Sequence, residues 1–328
     1  MTEKSFRLAA IQASSILFDK EASTQKACTL IEKAGKEGID LAVFGETWLP
    51  GYPFWIEAGI TDDTWWASAD YLDNSILIGG PETDALCAAA ARAGTDVVIG
   101  IAEKDPYTEG TAYCTALTIG REGQILNRHR KLKPTHAERI IWGDGDAAGL
   151  RPVPRDYGRL SALNCWEHQM MLPGYALAAQ GTQVHAALWP GWEKTPRPEE
   201  YCWARQIVLS RAFASQAAAY VVCSAGLRLP EHIPEKYRVF GEWQHTGHSA
   251  IIDPRGEILA GPIEGEDMVI AEGRHDVIRA AKAACDIAGH YSRPDIFDLV
   301  VDDSQADGMV RLLSDFDGDS SDPPPEDE

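Results

Sequence analysis

One cysteine follows an apolar segment in a position that suits a nucleophile. Residues 159–164 have the pattern of a buried strand, and Cys165 comes directly after them. A polar and aromatic segment follows, and a helix is predicted to start at Pro173, where proline is tolerated. A nucleophile at the sharp end of a strand is accessible, and nearby backbone N–H groups can stabilise negative charge on a substrate. Most cysteines are inert core residues, so this position alone favours a catalytic role only modestly.

Two charged residues occupy positions that resemble that of Cys165. A thiol is mostly protonated at neutral pH and needs a base or a cation beside it. Glu46 follows the predicted strand 41–44, and Lys131 ends a later predicted strand. Reactive groups at three strand ends can meet at one face of a sheet, where a Glu and a Lys can activate a thiol and bind an anion. His168 is nearer in sequence, but a histidine that close need not face the thiol, and a structural role is the alternative.

The surrounding segments predict an α/β fold. Residues 6–13 and 41–44 have the composition of buried strands, and the apolar spacing within 21–36 is typical of a helix between them. This βαβ order implies parallel neighbouring strands with a helix packed on one face. Further strands are predicted at 97–103, 111–119, 125–131, 159–164, 184–189, 219–224, 247–253, 257–260 and 269–272, and further helices at 82–92, 173–180, 199–217 and 276–288. Interleaved elements without a linker predict two sheets covered by helices, in one domain over residues 1–302.

The segment 47–71 is rich in aromatic residues and in Pro and Gly. We expect an irregular packed loop there. Its aromatic side chains have two equally plausible locations, the wall of a pocket or a buried structural interface.

Composition excludes several classes of protein. The formal net charge is −20, which argues against nucleic-acid binding because that needs a basic surface. No apolar run is long enough to span a bilayer, and the N-terminus does not resemble a signal peptide, so a cytoplasmic location is expected. The seven cysteines form no CxxC pair, and the histidines form no metal-ligand pattern, so neither a disulfide framework nor a metal site is expected. The acidic, proline-containing segment 303–328 is predicted to be a disordered tail.

Four motifs occur along the chain in order. They are FGETWLPGYP at 44–53, HRKLKPT at 129–135 with ER at 138–139 and WGDG at 142–145, LNCWEH at 163–168, and GHYSRPD at 289–295. With these motifs the chain resembles the nitrilase superfamily, and within it the nitrilase branch, from about residue 6 to residue 299. Four motifs in order are far more specific than any one alone.

The resemblance implies a four-layer αββα sandwich with a Glu–Lys–Cys triad. Residue by residue, Glu46 matches the base, Lys131 the lysine and Cys165 the nucleophile, and Glu138 matches a second glutamate of the family. The resemblance also implies assembly through outer helices into a homo-oligomer, a dimer or a larger spiral. The reaction that it implies needs no metal or organic cofactor.

Four further residues are predicted to contact the substrate. The backbone N–H of Trp166 is expected to stabilise developing charge together with Lys131. Tyr52 and Trp189 belong to aromatic stretches that can line the pocket, where aromatic walls would suit aryl or arylalkyl groups. His168 stands where many members of the family have Asn, and this difference bears on substrate preference.

The resemblance predicts a nitrilase that converts an organic nitrile into a carboxylic acid and ammonia. The reaction would proceed through a covalent thioimidate and then a thioester on Cys165. An amidase, a carbamoylase and a cyanide-degrading enzyme of the same superfamily are the alternatives, because they share the thiol chemistry. A non-catalytic binding protein is the alternative from another class, and it would need a broken triad, whereas all three residues are present.

Overall fold

Two six-stranded mixed sheets face each other, and helices cover their outer faces. The computed structural model describes residues 5–191, 193–194, 204–240 and 244–303. The first sheet has the order β15-β1-β2-β3-β4-β5 and the second the order β14-β13-β10-β8-β7-β6, and a small third sheet pairs β11-β12-β9. The strands are β1 (Ser5–Gln12), β2 (Leu41–Val43), β3 (Asp96–Lys104), β4 (Ala112–Ile119), β5 (Ile125–Arg130), β6 (Val153–Arg155), β7 (Gly158–Asn164), β8 (Val184–Trp189), β9 (Glu193–Lys194), β10 (Tyr220–Ala225), β11 (Leu227–Arg228), β12 (Gln244–Thr246), β13 (Ala250–Ile252), β14 (Ile258–Ala260) and β15 (Asp267–Arg274).

Six α-helices are interspersed among the strands in the described part of the chain. They are α1 (Lys20–Lys36), α2 (Asp62–Asp73), α3 (Pro81–Ala93), α4 (Met171–Ala179), α5 (Ala204–Ala217) and α6 (His275–Ala284). The predicted βαβ opening is confirmed, because β1 and β2 pair in parallel with α1 between them in sequence. The strands predicted at 97–103 and 111–119 are present as β3 and β4, which pair antiparallel with Ile99 opposite Leu117.

Alternation along the strands produces three apolar layers. In β8, Ala186 and Leu188 face the other sheet, whereas Ala187 and Trp189 face the helices. The first layer lies between sheet one and α1 with α3, the second between the two sheets, and the third between sheet two and α4 with α5. This arrangement is the αββα sandwich that the resemblance implied.

The expectation of an irregular loop throughout 47–71 was wrong. Its second half forms α2, which begins after Thr61, whose side chain accepts the backbone N–H of Thr64. The capping Thr and the following acidic residues are ordinary helix-start signals. The aromatic residues of the segment divide by environment, because Trp55 and Tyr71 are buried whereas Trp65 and Trp66 are exposed.

Some of the predicted segments lie outside the residues that the structure describes. The tail at 304–328 is among them, and so are residues 199–203 of the predicted helix 199–217. The domain limits therefore stay a prediction. Within the ranges given above, no helix combines the length and apolar character needed to cross a bilayer.

Candidate active site

Cys165 lies on a sharp turn directly after β7. It begins a 3-10 turn, Cys165–Gln169, and its φ is +48°, a left-handed conformation that is strained for a residue with a side chain. This geometry turns the chain away from the sheet at the residue that carries the thiol. Burial raises the pKa of the Cys165 thiol well above its usual value, although Lys131 and the backbone N–H of Trp166 act in the opposite direction. The thiol is therefore protonated at neutral pH before substrate arrives, and it needs a base.

Glu46 follows β2 and is fully enclosed. Its backbone N–H donates to the carbonyl of Trp189 at 3.0 Å, which ties this residue to the second sheet. Its Oε1 accepts the Lys131 ammonium at 2.8 Å and the Cys114 thiol at 3.4 Å. No hydrogen-bond partner is found among the described residues for its buried Oε2. Burial raises the pKa of Glu46 to about 7, and Lys131 opposes this rise.

Lys131 joins two carboxylates. It follows β5, and its Nζ donates to Glu46 at 2.8 Å and to Glu138 at 2.7 Å. The Lys131 side chain is fully buried, and the negative charges of Glu138 and Glu46 overcome desolvation and raise its pKa well above the usual value. A buried ammonium between two carboxylates satisfies charges that would be costly alone.

Glu138 is held from three directions. It occupies the third position of the 3-10 turn His136–Ile140, where its Oε2 accepts the backbone N–H of Thr135 at 2.7 Å in a capping box. Its Oε1 accepts the hydroxyl of Tyr52 at 2.9 Å. Together with the bond from Lys131, these contacts fix its carboxylate in one orientation.

The four predicted catalytic side chains meet in one small space. One carboxylate oxygen of Glu46, one of Glu138 and the Cys165 sulfur lie within 4.8 Å of one another, and Lys131 donates to both carboxylates. Two carboxylates and a thiol form a geometry that can bind a cation, but the ammonium already supplies the positive charge there. Chemically, the arrangement offers a thiol, a carboxylate oxygen that can accept its proton, and a cation that can stabilise an anion.

The predicted substrate contacts have different environments. Tyr52 and Glu46 line the same small cavity, which also reaches Pro190, Gly226 and Arg228. The Trp166 side chain is partly buried, with its ring against His136 at a centroid distance of 5.5 Å and against the Arg205 guanidinium at 4.7 Å.

His168 and Trp189 lie on the helix side of the second sheet. Their rings stack on each other with centroids 5.2 Å apart, and Trp189 Nε1 donates to Ser210 of α5 at 3.2 Å. Neither residue lines the cavity beside Glu46. The parity of β8 explains this placement, since Trp189 shares a face with Ala187. The sequence analysis predicted that Trp189 lines the pocket as part of an aromatic stretch, and its contact with substrate stays a prediction.

Three polar residues near the site were not predicted. Cys114 contacts the base directly. Glu167 and His129 form a buried pair whose carboxylate and ring nitrogen are 3.0 Å apart. Glu167 stands inside the nucleophile motif and His129 inside the lysine motif, so their motif positions were an available signal. Nothing local distinguished Cys114 from the other buried cysteines.

Comparisons with known proteins bear on the family and the fold of the chain. The family described as carbon-nitrogen hydrolase matches residues 7–283. The chain is 49% identical to "Nitrilase 2" from an unknown prokaryotic organism, over 94% of this chain and 96% of the relative. It is 34% identical to an aliphatic nitrilase of Rhodococcus rhodochrous, over 90% of this chain and 82% of the relative. The crystal structure of a carbon-nitrogen hydrolase from Helicobacter pylori G27 superposes with a TM-score of 0.71 at 17% identity, and covers 89% of this chain and 96% of that one.

Proposed function

Because the chain belongs to the carbon-nitrogen hydrolase family and to its nitrilase branch, we propose that it converts an organic nitrile into a carboxylic acid and ammonia through a covalent bond to Cys165. The protein is a hydrolase that acts on carbon–nitrogen bonds. The observation that carries the finer proposal is the cluster of one oxygen from each of two carboxylates and a thiol sulfur, all within 4.8 Å of one another, with Lys131 bound to both carboxylates.

The first half of the proposed reaction forms the covalent intermediate. Glu46 Oε2, for which the described part of the chain offers no hydrogen-bond partner, takes the proton of the Cys165 thiol. The sulfur then attacks the nitrile carbon. Negative charge grows on the nitrile nitrogen, where the Lys131 ammonium and the Trp166 backbone N–H stabilise it. Protonation of that nitrogen gives a thioimidate. A pKa of about 7 suits Glu46 to this work, because a base near the ambient pH both accepts and returns protons readily.

The second half consumes two water molecules. Glu46 removes a proton from the first water, which adds to the thioimidate carbon, and the tetrahedral species expels ammonia to leave a thioester. A second water then releases the carboxylic acid and restores the thiol. In this scheme Glu138 is a positioning residue, because its contacts with Tyr52 and Thr135 hold the carboxylate that orients Lys131.

A product assay with matched variants tests this proposal. Aliphatic, aromatic and arylaceto-nitriles are each incubated with the wild type and with Cys165→Ala, and acid, amide and ammonia are measured separately. Equal amounts of acid and ammonia from the wild type, and no turnover by Cys165→Ala, are expected. Cys223→Ala removes another buried thiol and serves as the control. Substantial turnover by Cys165→Ala would refute the proposal, and amide as the sole product would reassign the protein to nitrile hydration.

The proposal includes a homo-oligomer. An open apolar groove of about 580 Å³ lies between α4 and α5, and its lining includes the exposed Met171 and Leu172. Large exposed apolar patches on soluble proteins mark interaction sites, and the outer helices are the expected assembly surface. Light scattering of wild type and of a Met171→Glu, Leu172→Glu double variant tests this, with a smaller particle expected for the variant. A monomeric wild type would contradict it.

A further inference from the structure

A chain of polar side chains, all buried except the half-buried His168, runs behind the nucleophile, on the face of the second sheet that is turned away from the first sheet. His168 Nδ1 lies 2.7 Å from the carbonyl oxygen of Cys165, and His168 Nε2 lies 3.0 Å from His185 Nε2. His185 Nδ1 lies 2.8 Å from the hydroxyl of Ser161, which lies 3.1 Å from that of Thr182. None of these side chains has a role in the reaction proposed above.

The chemistry of the end group fixes the direction of the three bonds that lead from the Cys165 carbonyl to Ser161. A carbonyl oxygen only accepts, so His168 Nδ1 carries a proton. A neutral His168 then accepts at Nε2, which requires His185 to donate from its own Nε2 and to accept at Nδ1 from Ser161. Both rings are neutral at pH 7, because burial lowers the pKa of His168 to about 4 and that of His185 well below its usual value.

The environment of the two rings is consistent with this single arrangement. His185 stacks on Phe213 of α5 with centroids 3.9 Å apart, and His168 stacks on Trp189. The titratable groups that act on His168 are Glu167, His129 and Lys131, besides His185 itself. Both rings are therefore held in place from the helix side, and their hydrogen-bonding edges point along the chain.

The bond to the Cys165 carbonyl has a consequence for the neighbouring amide. A peptide unit is planar and trans, so its C=O and N–H groups point in opposite directions. Fixing the carbonyl of Cys165 therefore fixes the direction of the Trp166 N–H, which faces the sulfur. A hydrogen bond accepted by the carbonyl also polarises the peptide and makes its N–H a better donor.

We propose that His168 and His185 are positioning residues that aim and strengthen the Trp166 N–H as a donor to the anion formed on the substrate. His168 acts through the peptide plane, and His185 acts by fixing the His168 tautomer. The inference rests on the proposed function, in which that N–H stabilises the developing negative charge. It also accounts for the tolerance of the left-handed φ at Cys165, since the strained turn is held by a side chain three residues on.

Two ligands for the thiol separate this role from a merely structural one. Propionaldehyde adds to a cysteine to give a thiohemiacetal whose oxygen needs the donor, whereas alkylation by iodoacetamide forms no oxyanion. Both are measured at Cys165 in a Cys285→Ser background, which removes an exposed thiol. We expect His168→Leu to weaken propionaldehyde binding by about tenfold or more, in line with the loss of an oxyanion donor, while the alkylation rate is unchanged.

Conservative variants show whether the donated bond is what matters. His168→Asn retains an N–H that can reach the Cys165 carbonyl, so it should recover most of the aldehyde affinity. His185→Leu should give an intermediate loss, because His168 then has no donor to fix its tautomer. For the nitrile that the wild type turns over fastest, kcat should fall in the same order with KM nearly constant. His290→Leu, at an exposed histidine, is the control.

Several results would overturn the inference. Wild-type aldehyde affinity in His168→Leu, or an equal defect in His168→Asn and His168→Leu, would exclude the donated bond as the cause. A parallel fall in the alkylation rate would show that the thiol itself had moved. Failure of the proposed function looks different, because the wild type would then form no aldehyde adduct and turn over no nitrile.

A spectroscopic measurement tests the chain without turnover. In protein labelled with ¹⁵N-histidine, two-bond correlations at pH 7 should show His168 protonated at Nδ1 and His185 at Nε2. In His185→Leu, the His168 signal should shift towards a mixture of tautomers. The opposite tautomers in the wild type would refute the chain.

Discussion

Glu167 accepts the ring N–H of His129 at 3.0 Å, and this contact joins the nucleophile segment to the lysine segment. The same carboxylate accepts the backbone N–H of Leu132 at 2.8 Å and that of Asn164 at 2.7 Å. These two amides adjoin Lys131 and Cys165 in sequence. One buried carboxylate thus sets the spacing between two reactive groups that come from different sheets.

Replacing Glu167 should therefore affect stability and activity together. Glu167→Ala leaves His129 and two backbone N–H groups buried without their acceptor, which we expect to lower the free energy of unfolding by about 3–5 kcal/mol. Urea unfolding measures this change, and nitrile turnover should fall with it. Glu32→Ala, at an exposed carboxylate paired with Arg92, is the control and should shift the unfolding free energy by less than about 0.5 kcal/mol. Equal effects of the two substitutions would contradict the prediction.

The Glu167 carboxylate should also make the stability of the folded protein depend on pH in the acid range. Burial acts to raise the pKa of Glu167, but His129 and the backbone N–H groups favour the charged carboxylate more strongly. The pKa of Glu167 therefore lies below its usual value. A carboxyl group whose pKa is lower in the folded state stabilises the protein fully at pH values above its unfolded-state pKa, about 4.3. This stabilisation is lost as the pH falls through the folded-state pKa. Urea unfolding of wild type and Glu167→Gln between pH 7 and pH 3 should show the difference between them shrinking at the acid end. A difference in unfolding free energy that stays constant from pH 7 to pH 3 would contradict this role of Glu167.

Activity should depend on the ionisation of Glu46. With a pKa raised to about 7, the carboxylate gains a proton as pH falls below that value, so kcat/KM should drop about tenfold for each pH unit further down. Cys114 donates to Glu46 Oε1 and favours its charged form. Cys114→Ala should therefore move the acid limb to higher pH, whereas Cys114→Ser, which keeps a donor, should not. Cys223→Ala is the matched control, and an unmoved limb in Cys114→Ala would be evidence against this contact.

Activity should require both the positive charge and the shape of the Lys131 side chain. Lys131→Met removes the cation that faces both carboxylates and should lower kcat by about 10²–10⁴. Lys131→Arg keeps the charge but does not fit a fully buried site with bonds of 2.8 and 2.7 Å, so it should also be severely impaired. Lys133→Met changes an exposed lysine two positions away and serves as the control. Near wild-type turnover by Lys131→Arg would show that the site needs only a positive charge.

Gly100 should be intolerant of any side chain. A Cβ at this position of β3 would lie 2.3 Å from the carbonyl oxygen of Gly45 and 2.4 Å from the backbone nitrogen of Thr47, on either side of Glu46. Gly100→Ala should therefore displace the base and lower the free energy of unfolding by about 1–3 kcal/mol. Thermal unfolding and kcat measure the two effects. Gly110→Ala, where a Cβ meets open space, is the control, and equal behaviour of the two would exclude the steric cause.

The sequence by itself determined the family and the layered fold, and it predicted which side chains react. Periodicity placed Glu46, Lys131 and Cys165 after strands, and the motifs around them are local and specific, so neither inference needed a distance. The interleaved strands and helices predicted two sheets covered by helices, and the family resemblance implied their four-layer αββα order.

Only the tertiary structure decided which groups touch. The contact between Cys114 and Glu46 joins residues 68 positions apart, and the contact between Tyr52 and Glu138 joins residues 86 positions apart. No local pattern records such pairs, because sheet register and packing bring them together. The contact of Trp189 with substrate stays a prediction for the same reason: which face of a buried strand adjoins a cavity depends on the layer packed against it. Local sequence fixes the chemistry of each side chain, whereas long-range packing fixes its neighbours and hence its pKa, orientation and role.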